Sequence, residues 1–174
     1  FAFSGVVFAV SAQDEMGVLP GFILAVAFGL LVGFINSFGI LFCKIPPFIM
    51  TLAIASVING LALTFCNGFP VEFTNVKSPL IDFLGNGNVL GIPGPFLCFI
   101  AIAIVLSVVL KYMPFGRYIY SVGSNMEGAR LAGVRTTRII MIAYLVCSAC
   151  AALVGIMTAC KLIVGHPTVG STLA

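Results

Sequence analysis

Four long apolar runs, at residues 19–43, 48–66, 93–112 and 139–160, constrain the fold of this chain more than any other feature. Each run reaches the length of about 20 residues that a helix needs to cross a bilayer, and none has an acidic or basic residue in its middle. Residues 1–10 resemble the end of another such run. Because backbone polar groups in lipid must be satisfied within the segment, these runs are predicted to be helices. The sequence therefore predicts an all-α, polytopic transmembrane helical bundle with four full spans and part of a fifth.

The composition agrees with a membrane protein. Charged residues make up only 7% of the chain, whereas a soluble domain carries about 25%. The chain begins with Phe1 and has neither an initiator methionine nor a positively charged leader. We therefore expect an internal fragment of a longer protein, in which residues 1–174 form a single, partial transmembrane domain.

The basic residues collect on one side of the predicted membrane once the connections between spans alternate. That side holds six of the eight basic residues: Lys44, Lys111, Arg117, Arg130, Arg135 and Arg138. The other side holds Lys77 and Lys161. Because Lys and Arg accumulate in cytoplasmic connections, residues 114–138 are predicted to be a cytoplasmic loop and residues 67–92 an outer loop.

The sequence lacks the residues that are characteristic of several classes of function. The six cysteines lie in or beside apolar runs, where small packing side chains are expected rather than metal ligands or redox pairs. His166 is the single histidine, and no carboxylate or cysteine is placed to complete a metal site with it. The sequence has no phosphate-binding loop and no metalloprotease or serine-hydrolase motif, and its net charge of +3 is too small to suggest nucleic acid. We predict no catalytic residues, no metal, no cofactor and no nucleic-acid partner.

The segment 114–138 carries signals for a short helix. Ser124 and Glu127 have the spacing of a capping box, in which each side chain bonds the other residue's backbone amide. Gly133 suits the end of a helix because glycine adopts the left-handed conformation readily. A helix over residues 125–132 is therefore predicted.

The surroundings of that helix leave two interpretations. A solvated loop whose arginines only set the membrane topology explains the charge. It does not explain the small residues Gly128, Ala129 and Ala132, which permit close approach by another surface. We favour a docking helix, followed by a span that Thr136 or Thr137 caps.

Neutral polar residues occur within the spans, where they either join helices or line a path for a neutral polar solute. They are Asn36, Ser37, Thr51, Ser56, Asn59, Thr64, Ser107 and Ser148. Gly29 and Gly33 form a GxxxG pattern, typical of close helix packing, and Asn36 lies on nearly the same face. For Asn36 alone, an interhelical hydrogen bond is favoured over solute contact. The candidates for a translocation path are Asn36, Thr51 and Asn59.

Three sequence blocks match a known family in order and spacing. They lie at residues 116–133, 36–52 and 166–170, and because the spacing between them also fits, the resemblance extends over nearly the whole chain. The matching residues are Gly116, Arg117, Tyr118, Tyr120, Gly123, Asn125, Ala129, Arg130, Leu131 and Gly133 in the first block, and Asn36, Pro47, Phe48, Ile49, Thr51 and Leu52 in the second. The chain resembles the permeases of bacterial ABC importers for ribose, xylose, galactose and related simple sugars, in the branched-chain permease superfamily. Ser37 and Gly128 depart from the family pattern, which usually has Gly and Ala there.

The resemblance implies a coupling helix that seats on a cytoplasmic ATPase. The ATPase-coupling residues it implies are Gly116, Arg117, Asn125, Glu127, Ala129, Arg130 and Gly133. It further implies a transport subunit rather than an enzyme, because ATP is hydrolysed on the separate ABC ATPase subunit. The other implied partners are a second permease chain, in a homodimer or heterodimer, and an extracytoplasmic solute-binding protein. The implied location is the bacterial inner membrane, and the implied solute is a simple sugar or similar neutral polar molecule.

Other functions stay open at this point. Relatives of the same superfamily carry autoinducers, nucleosides or branched amino acids. An ion-coupled carrier is opposed by the lack of ionisable residues in the middle of the spans. In a membrane scaffold, the charged loop would serve topology alone.

Overall fold

The computed structural model describes residues 2–13, 17–72, 81, 84–85, 87–89 and 92–165. Seven helices lie in these residues: α1 (Ala2–Gln13), α2 (Val18–Leu41), α3 (Pro47–Phe65), α4 (Gly94–Tyr112), α5 (Pro114–Ser124), α6 (Met126–Leu131) and α7 (Thr136–Leu162). Four short strands accompany them: β1 (Val71–Glu72), β2 (Asn88–Val89), β3 (Ile92–Pro93) and β4 (Val164–Gly165). Helices α2, α3, α4 and α7 are long and apolar enough to cross a membrane, and α1 is a shorter apolar helix. The predicted all-α bundle of four spans and part of a fifth is confirmed.

Prolines and left-handed residues set the ends of the spans. Pro46 caps α3 and Pro47 opens it, where a missing backbone N–H costs no hydrogen bond. Lys44 has a φ of 54° and lies in the tight turn between α2 and α3. Met113 separates α4 from Pro114, the first residue of α5. These signals explain why the observed spans begin and end within three residues of the predicted bounds.

Helices α2 and α7 form the centre of the bundle. Every fourth residue on one face of α2 is small and buried: Gly21, Ala25, Gly29, Gly33 and Ser37. A Cβ atom added at Gly29 would lie 2.6 Å from the Cβ of Ala152, and one added at Gly33 would lie 2.8 Å from the Cβ of Ser148. Because rising numbers on α2 meet falling numbers on α7, the two helices are antiparallel. The close packing predicted for the GxxxG pattern is confirmed.

An apolar cluster joins the helices at one end of the bundle. Its buried members are Phe8, Ala9, Ala25, Ile81, Ile156, Ala159 and Cys160. Beside it, β1 pairs with β4 in antiparallel fashion, with Val71 opposite Gly165. Ile81 belongs to the predicted outer loop, so the described part of that loop folds back onto the helices. We call this the strand end.

The opposite end carries the charge, and we call it the basic end. It holds Lys44, Lys111, Arg117, Arg130, Arg135 and Arg138. There the α2–α3 turn and helix α6 line one cleft, so residues far apart in sequence meet at this end. His166 and the rest of the third sequence block lie outside the described residues.

Helix α4 packs mainly against α5 and β3, away from the α2–α7 pair. Most of its large apolar side chains are exposed, among them Phe96, Phe99 and Ile104. At its end, Gly116 of α5 lies so close to the backbone of Leu110 that an added Cβ would be 2.7 Å from the Leu110 Cα. Glycine is therefore required where the chain turns from α4 into α5.

Candidate functional site

The three predicted path residues line one cavity. Asn36 projects from α2, and Thr51 and Asn59 project from α3, into a space of about 240 Å³. Phe3 of α1 and Ile58 of α3 contribute apolar walls. Among the described residues that line the cavity, none is acidic or basic. The structure therefore brings together, on neighbouring helices, the polar groups that the sequence could only place separately.

Asn36 does not form the interhelical hydrogen bond that was favoured for it. Its Oδ1 atom is buried and accepts no hydrogen bond from any described residue. Thr51 lies across the cavity, but its hydroxyl donates to the carbonyls of Pro47, at 2.9 Å, and Phe48, at 3.1 Å, in its own helix. A buried polar atom without a partner costs about 1–3 kcal/mol. A solute hydroxyl that donates to this oxygen would offset that cost.

Two further residues near the cavity come from α1 and were not among the predicted site residues. Phe3 lines the cavity, and its ring centroid lies 4.5 Å from that of Phe28. Ser4 lines an adjoining space of about 70 Å³ together with Ser148. A run of ten residues is too short to reveal its buried face, so periodicity could not single these residues out.

Helix α6 stands between two well-defined caps, but its first cap differs from the prediction. Asn125, with extended backbone angles, accepts a hydrogen bond at its Oδ1 from the Gly128 amide at 2.9 Å. The predicted cap, Ser124, is instead the last residue of α5, and its hydroxyl donates to the Ser121 carbonyl at 3.1 Å. The capping box with Glu127 is therefore wrong, because helix α5 holds Ser124 in a helical conformation that an N-cap cannot have.

The other end of α6 follows the prediction. Gly133 has a φ of 81°, and its amide donates to the Arg130 carbonyl at 3.0 Å. The Val134 amide donates to the Ala129 carbonyl at 3.0 Å. These two bonds form a Schellman motif, which satisfies carbonyls that the helix end leaves free. Gly133 is confirmed as the residue that ends this helix.

The threonine cap predicted for the following span is not formed. Arg135 is the N-cap of α7, and its side chain makes no capping hydrogen bond. Thr136 is the first helical residue and is buried, while Thr137 is exposed. The amide of Thr136 donates to the Val134 carbonyl at 2.9 Å, so the tight turn after Gly133 takes the place of a side-chain cap.

The predicted coupling residues fall into two groups. Glu127 and Arg130 line a cleft of about 770 Å³ at the basic end, with Lys44 and Pro46 of the α2–α3 turn on the other side. Ala129 is the buried residue of α6, and Asn125 and Gly133 cap the two ends of this helix. The second group comprises Gly116 and Arg117, which lie on α5: Gly116 packs against α4, and Arg117 lines a different cleft.

Leu131 is an exposed apolar residue on α6. Its side chain is 87% exposed, next to the exposed charges of Arg130 and Glu127. Leu131, Arg130 and Glu127 are therefore all accessible on this helix.

A known protein family matches the whole chain. The family described as the permease component of the branched-chain amino acid transport system matches residues 1–174. The chain belongs to this family. With four candidate spans, it is a multi-pass protein of the bacterial inner membrane.

Several proteins similar to this chain are named as sugar permeases. The ribose import permease protein of Escherichia coli is 30% identical over 172 residues, which cover 98% of this chain and 53% of that protein. The ribose import permease protein of Bacillus subtilis is 33% identical over 129 residues, 74% of this chain and 40% of that protein. The galactofuranose transporter permease protein of Escherichia coli is 32% identical over 135 residues, 78% of this chain and 39% of that protein. This chain thus spans about half the length of such permeases or less. No solved structure matches it.

Proposed function

We propose that this chain is part of the membrane-spanning permease subunit of an ATP-driven ABC importer, and that it lines the path of a simple sugar. The observation that carries this proposal is the convergence of Asn36, Thr51 and Asn59 on one cavity. Amide groups both donate and accept hydrogen bonds, as sugar hydroxyls do. The names of the ribose and galactofuranose relatives support the same solute class.

The lining of the cavity favours a sugar over an amino acid. A zwitterionic amino acid brings two charges, and burying them without partners is costly. The described part of the cavity lining offers neutral amide and hydroxyl groups and no charged side chain. A neutral polyol can satisfy the Asn36 oxygen without any such cost.

Substitutions in the cavity test this assignment. The full-length permease is reconstituted into vesicles with its ATPase and binding protein, and uptake of labelled ribose, xylose and galactose is measured. We expect Asn36→Leu and Asn59→Leu to lower uptake of the transported sugar about five- to tenfold each, the equivalent of one hydrogen bond. Ser56→Ala is the matched control, because Ser56 lies on α3 but does not line the cavity. Uptake that stays at the wild-type level in both asparagine variants would contradict the proposal.

Helix α6 is the proposed coupling element, within a cytoplasmic loop at residues 114–138. Caps at both ends make a helix of six residues rigid, so it can transmit force through a contact. Glu127, Arg130 and Leu131 are exposed and available to a partner. In this proposal the partner is the ABC ATPase, and ATP is hydrolysed on that chain.

The coupling role has its own test. A Glu127→Ala and Arg130→Ala double variant should insert into the membrane normally. It should no longer take up solute, and ATP hydrolysis by the ATPase should no longer be coupled to transport. Arg138→Gln is the control, since Arg138 is a basic residue of the same end that does not belong to α6. Normal uptake by the double variant would argue against coupling through α6 and would leave the cavity assignment standing.

The remaining partners follow from the proposed importer. A second permease chain, identical or different, completes the translocation path, and an extracytoplasmic binding protein delivers the solute at the strand end. The outer loop at residues 67–92 belongs to that end, and residues 1–174 then form one part of a single permease domain. Loss of uptake on omission of the binding protein from the vesicles tests this arrangement.

A further inference from the structure

A second cleft at the basic end, of about 630 Å³, lies between α4 and α5. Helix α4 contributes Ala103, Ser107 and Lys111, which are four residues apart and therefore share one face. Helix α5 contributes Arg117 and Tyr120, which are three residues apart and also neighbours on one face. The cleft combines two cations and two hydroxyl groups with an apolar wall.

The charged residues of this cleft lie at the end of α4, and the lining deeper along α4 is apolar apart from Ser107. Lys111 lies in the last turn of α4, at the membrane boundary. Ala103 precedes it by eight residues, which places it about 12 Å deeper along the helix. Leu106 and Leu110 line the same wall. A cationic mouth above an apolar groove matches a phospholipid, whose charged headgroup continues into an acyl chain.

The two cations have no acidic neighbour in the cleft. None of the described residues that line it is acidic. Glu127 is the single acid in the sequence between α4 and α7, and it lines the other cleft, beside Arg130. The Nζ atom of Lys111 lies 5.6 Å from the centroid of the Tyr112 ring. Two cations without a countercharge at the edge of an apolar surface attract an anion.

Helix α5 places the mouth of the cleft at headgroup depth. Its apolar residues Phe115, Ile119 and Val122 recur at helical spacing and are half-buried, whereas Arg117 and Tyr120 are exposed. An amphipathic helix directly after a membrane span lies in the interface between headgroups and acyl chains. Arg117 therefore lies where lipid phosphates are.

We propose that the α4–α5 cleft binds an anionic phospholipid. Its phosphate lies between the Lys111 ammonium and the Arg117 guanidinium, and one acyl chain follows Ala103 and Leu106. Free phosphate would occupy the mouth and leave the apolar groove uncovered. A lipid contacts both the cations and the apolar groove. Because α5 joins α6 through the single residue Asn125, the bound lipid steadies the helix that holds the proposed coupling element. Occupancy does not depend on solute or ATP, so it is measured apart from transport.

Native mass spectrometry of the full-length permease tests this site. The detergent-purified protein is titrated with phosphatidylglycerol and, separately, with phosphatidylcholine, and retained lipid is counted. We expect the wild type to prefer phosphatidylglycerol, and Lys111→Gln or Arg117→Gln to weaken its binding about fivefold each and about 30-fold together. Lys111→Arg keeps the charge and should retain the lipid. Arg138→Gln, which removes a basic residue of the same end outside the cleft, is the matched control.

A second arm tests the acyl chain separately from the phosphate. Ala103→Trp fills the apolar groove and leaves both cations in place, and it should weaken phosphatidylglycerol binding as strongly as the loss of one charge. Inorganic phosphate at millimolar concentration should not displace the lipid. If Ala103→Trp has no effect or phosphate displaces the lipid, the site recognises phosphate alone and the proposal is wrong.

Two other results would also overturn it. Equal retention of phosphatidylcholine and phosphatidylglycerol by the wild type would mean that Lys111 and Arg117 do not select an anionic headgroup. Unchanged phosphatidylglycerol retention in the Lys111→Gln, Arg117→Gln double variant, with loss of ATPase co-purification, would assign the two cations to a protein partner instead.

Discussion

Replacing Gly33 with alanine tests the contact on which the bundle depends. A Cβ atom at this position would lie 2.8 Å from the Cβ of Ser148 and 3.0 Å from the backbone oxygen of Tyr144. The Ser148 hydroxyl, which donates to the Leu145 carbonyl at 2.9 Å, would also have to move. Because the Ser148 Cβ and the Tyr144 oxygen are both fixed by the backbone of α7, α2 and α7 must separate to accommodate the new methyl group.

Comparison with a second glycine isolates the cost of that separation. Gly60 lies inside α3, and an added Cβ there meets nothing within 4 Å. Both substitutions gain the same helix propensity, about 1 kcal/mol, so this contribution cancels between them. Overpacking costs about 1–3 kcal/mol. At about 2–4 °C per kcal/mol, Gly33→Ala should melt about 2–12 °C below Gly60→Ala.

Two buried thiols provide the assay. Cys66 is 6% exposed and Cys160 is 1% exposed. Once the exposed Cys43 and Cys147 are replaced with alanine in all variants, a maleimide dye that fluoresces on thiol reaction reports unfolding of the full-length permease in mild detergent as temperature rises. We expect Gly60→Ala to melt at or above the wild-type temperature and Gly33→Ala clearly below it. Melting temperatures for the two variants within 1 °C of each other would refute the close α2–α7 contact.

Two local features of the chain give further predictions. Asn125→Ala removes the acceptor for the Gly128 amide and should cost α6 about 1 kcal/mol, seen as faster hydrogen exchange in α6, whereas Asn125→Ser should retain the cap. Ser124→Ala should leave that exchange unchanged. A loss of protection equal to that of Asn125→Ala would show that Ser124 forms the capping box predicted from the sequence. Ile163 is a β-branched residue at a φ of 56°, a backbone conformation that is strained for such a residue. Ile163→Asn should therefore raise the melting temperature by about 2–4 °C. A lower melting temperature would show that the packing of the Ile163 side chain stabilises the protein more than the backbone strain destabilises it.

The membrane spans could be predicted from sequence because lipid leaves the backbone few options. A run of about 20 apolar residues must form a helix there. Prolines at positions 46, 47, 93 and 114 mark helix ends through the chemistry of a single residue type. These local signals act within a few residues and need no knowledge of the neighbouring helices.

The cap of α6 was misplaced because helix α5 was not predicted. The signal was present: Phe115, Ile119 and Val122 recur at positions i, i+4 and i+7, as on one face of a helix. With arginine and glycine between them, the segment was interpreted as a loop. Once α5 extends through Ser124, the next residue with a suitable side chain, Asn125, becomes the cap. One missed helix therefore moved the predicted cap by one residue.

The sequence could predict which polar residues line the cavity but not how they are arranged. Residue type placed Asn36, Thr51 and Asn59 in the spans as candidates. Whether Asn36 faces a hydrogen-bond donor depends on how α2 and α3 are rotated, and that rotation is set by contacts of the small face of α2 with α7. Hydropathy is insensitive to rotation about a helix axis, so the unpartnered Asn36 oxygen appears only in three dimensions.

The two helices that carry the cavity residues are held very differently. In the most apolar 18-residue window of each helix, 22% of the residues are buried in α2 but only 6% in α3, although both windows are strongly hydrophobic. Helix α2 is fixed against α7 by glycine contacts, whereas α3 begins at Pro47, beside the cleft that Glu127 and Arg130 also line. Within the described residues, α3 is therefore held by fewer buried contacts than α2. Because this chain spans about half the length of its relatives, residues of the permease outside it would complete the packing of α3 in the proposed importer.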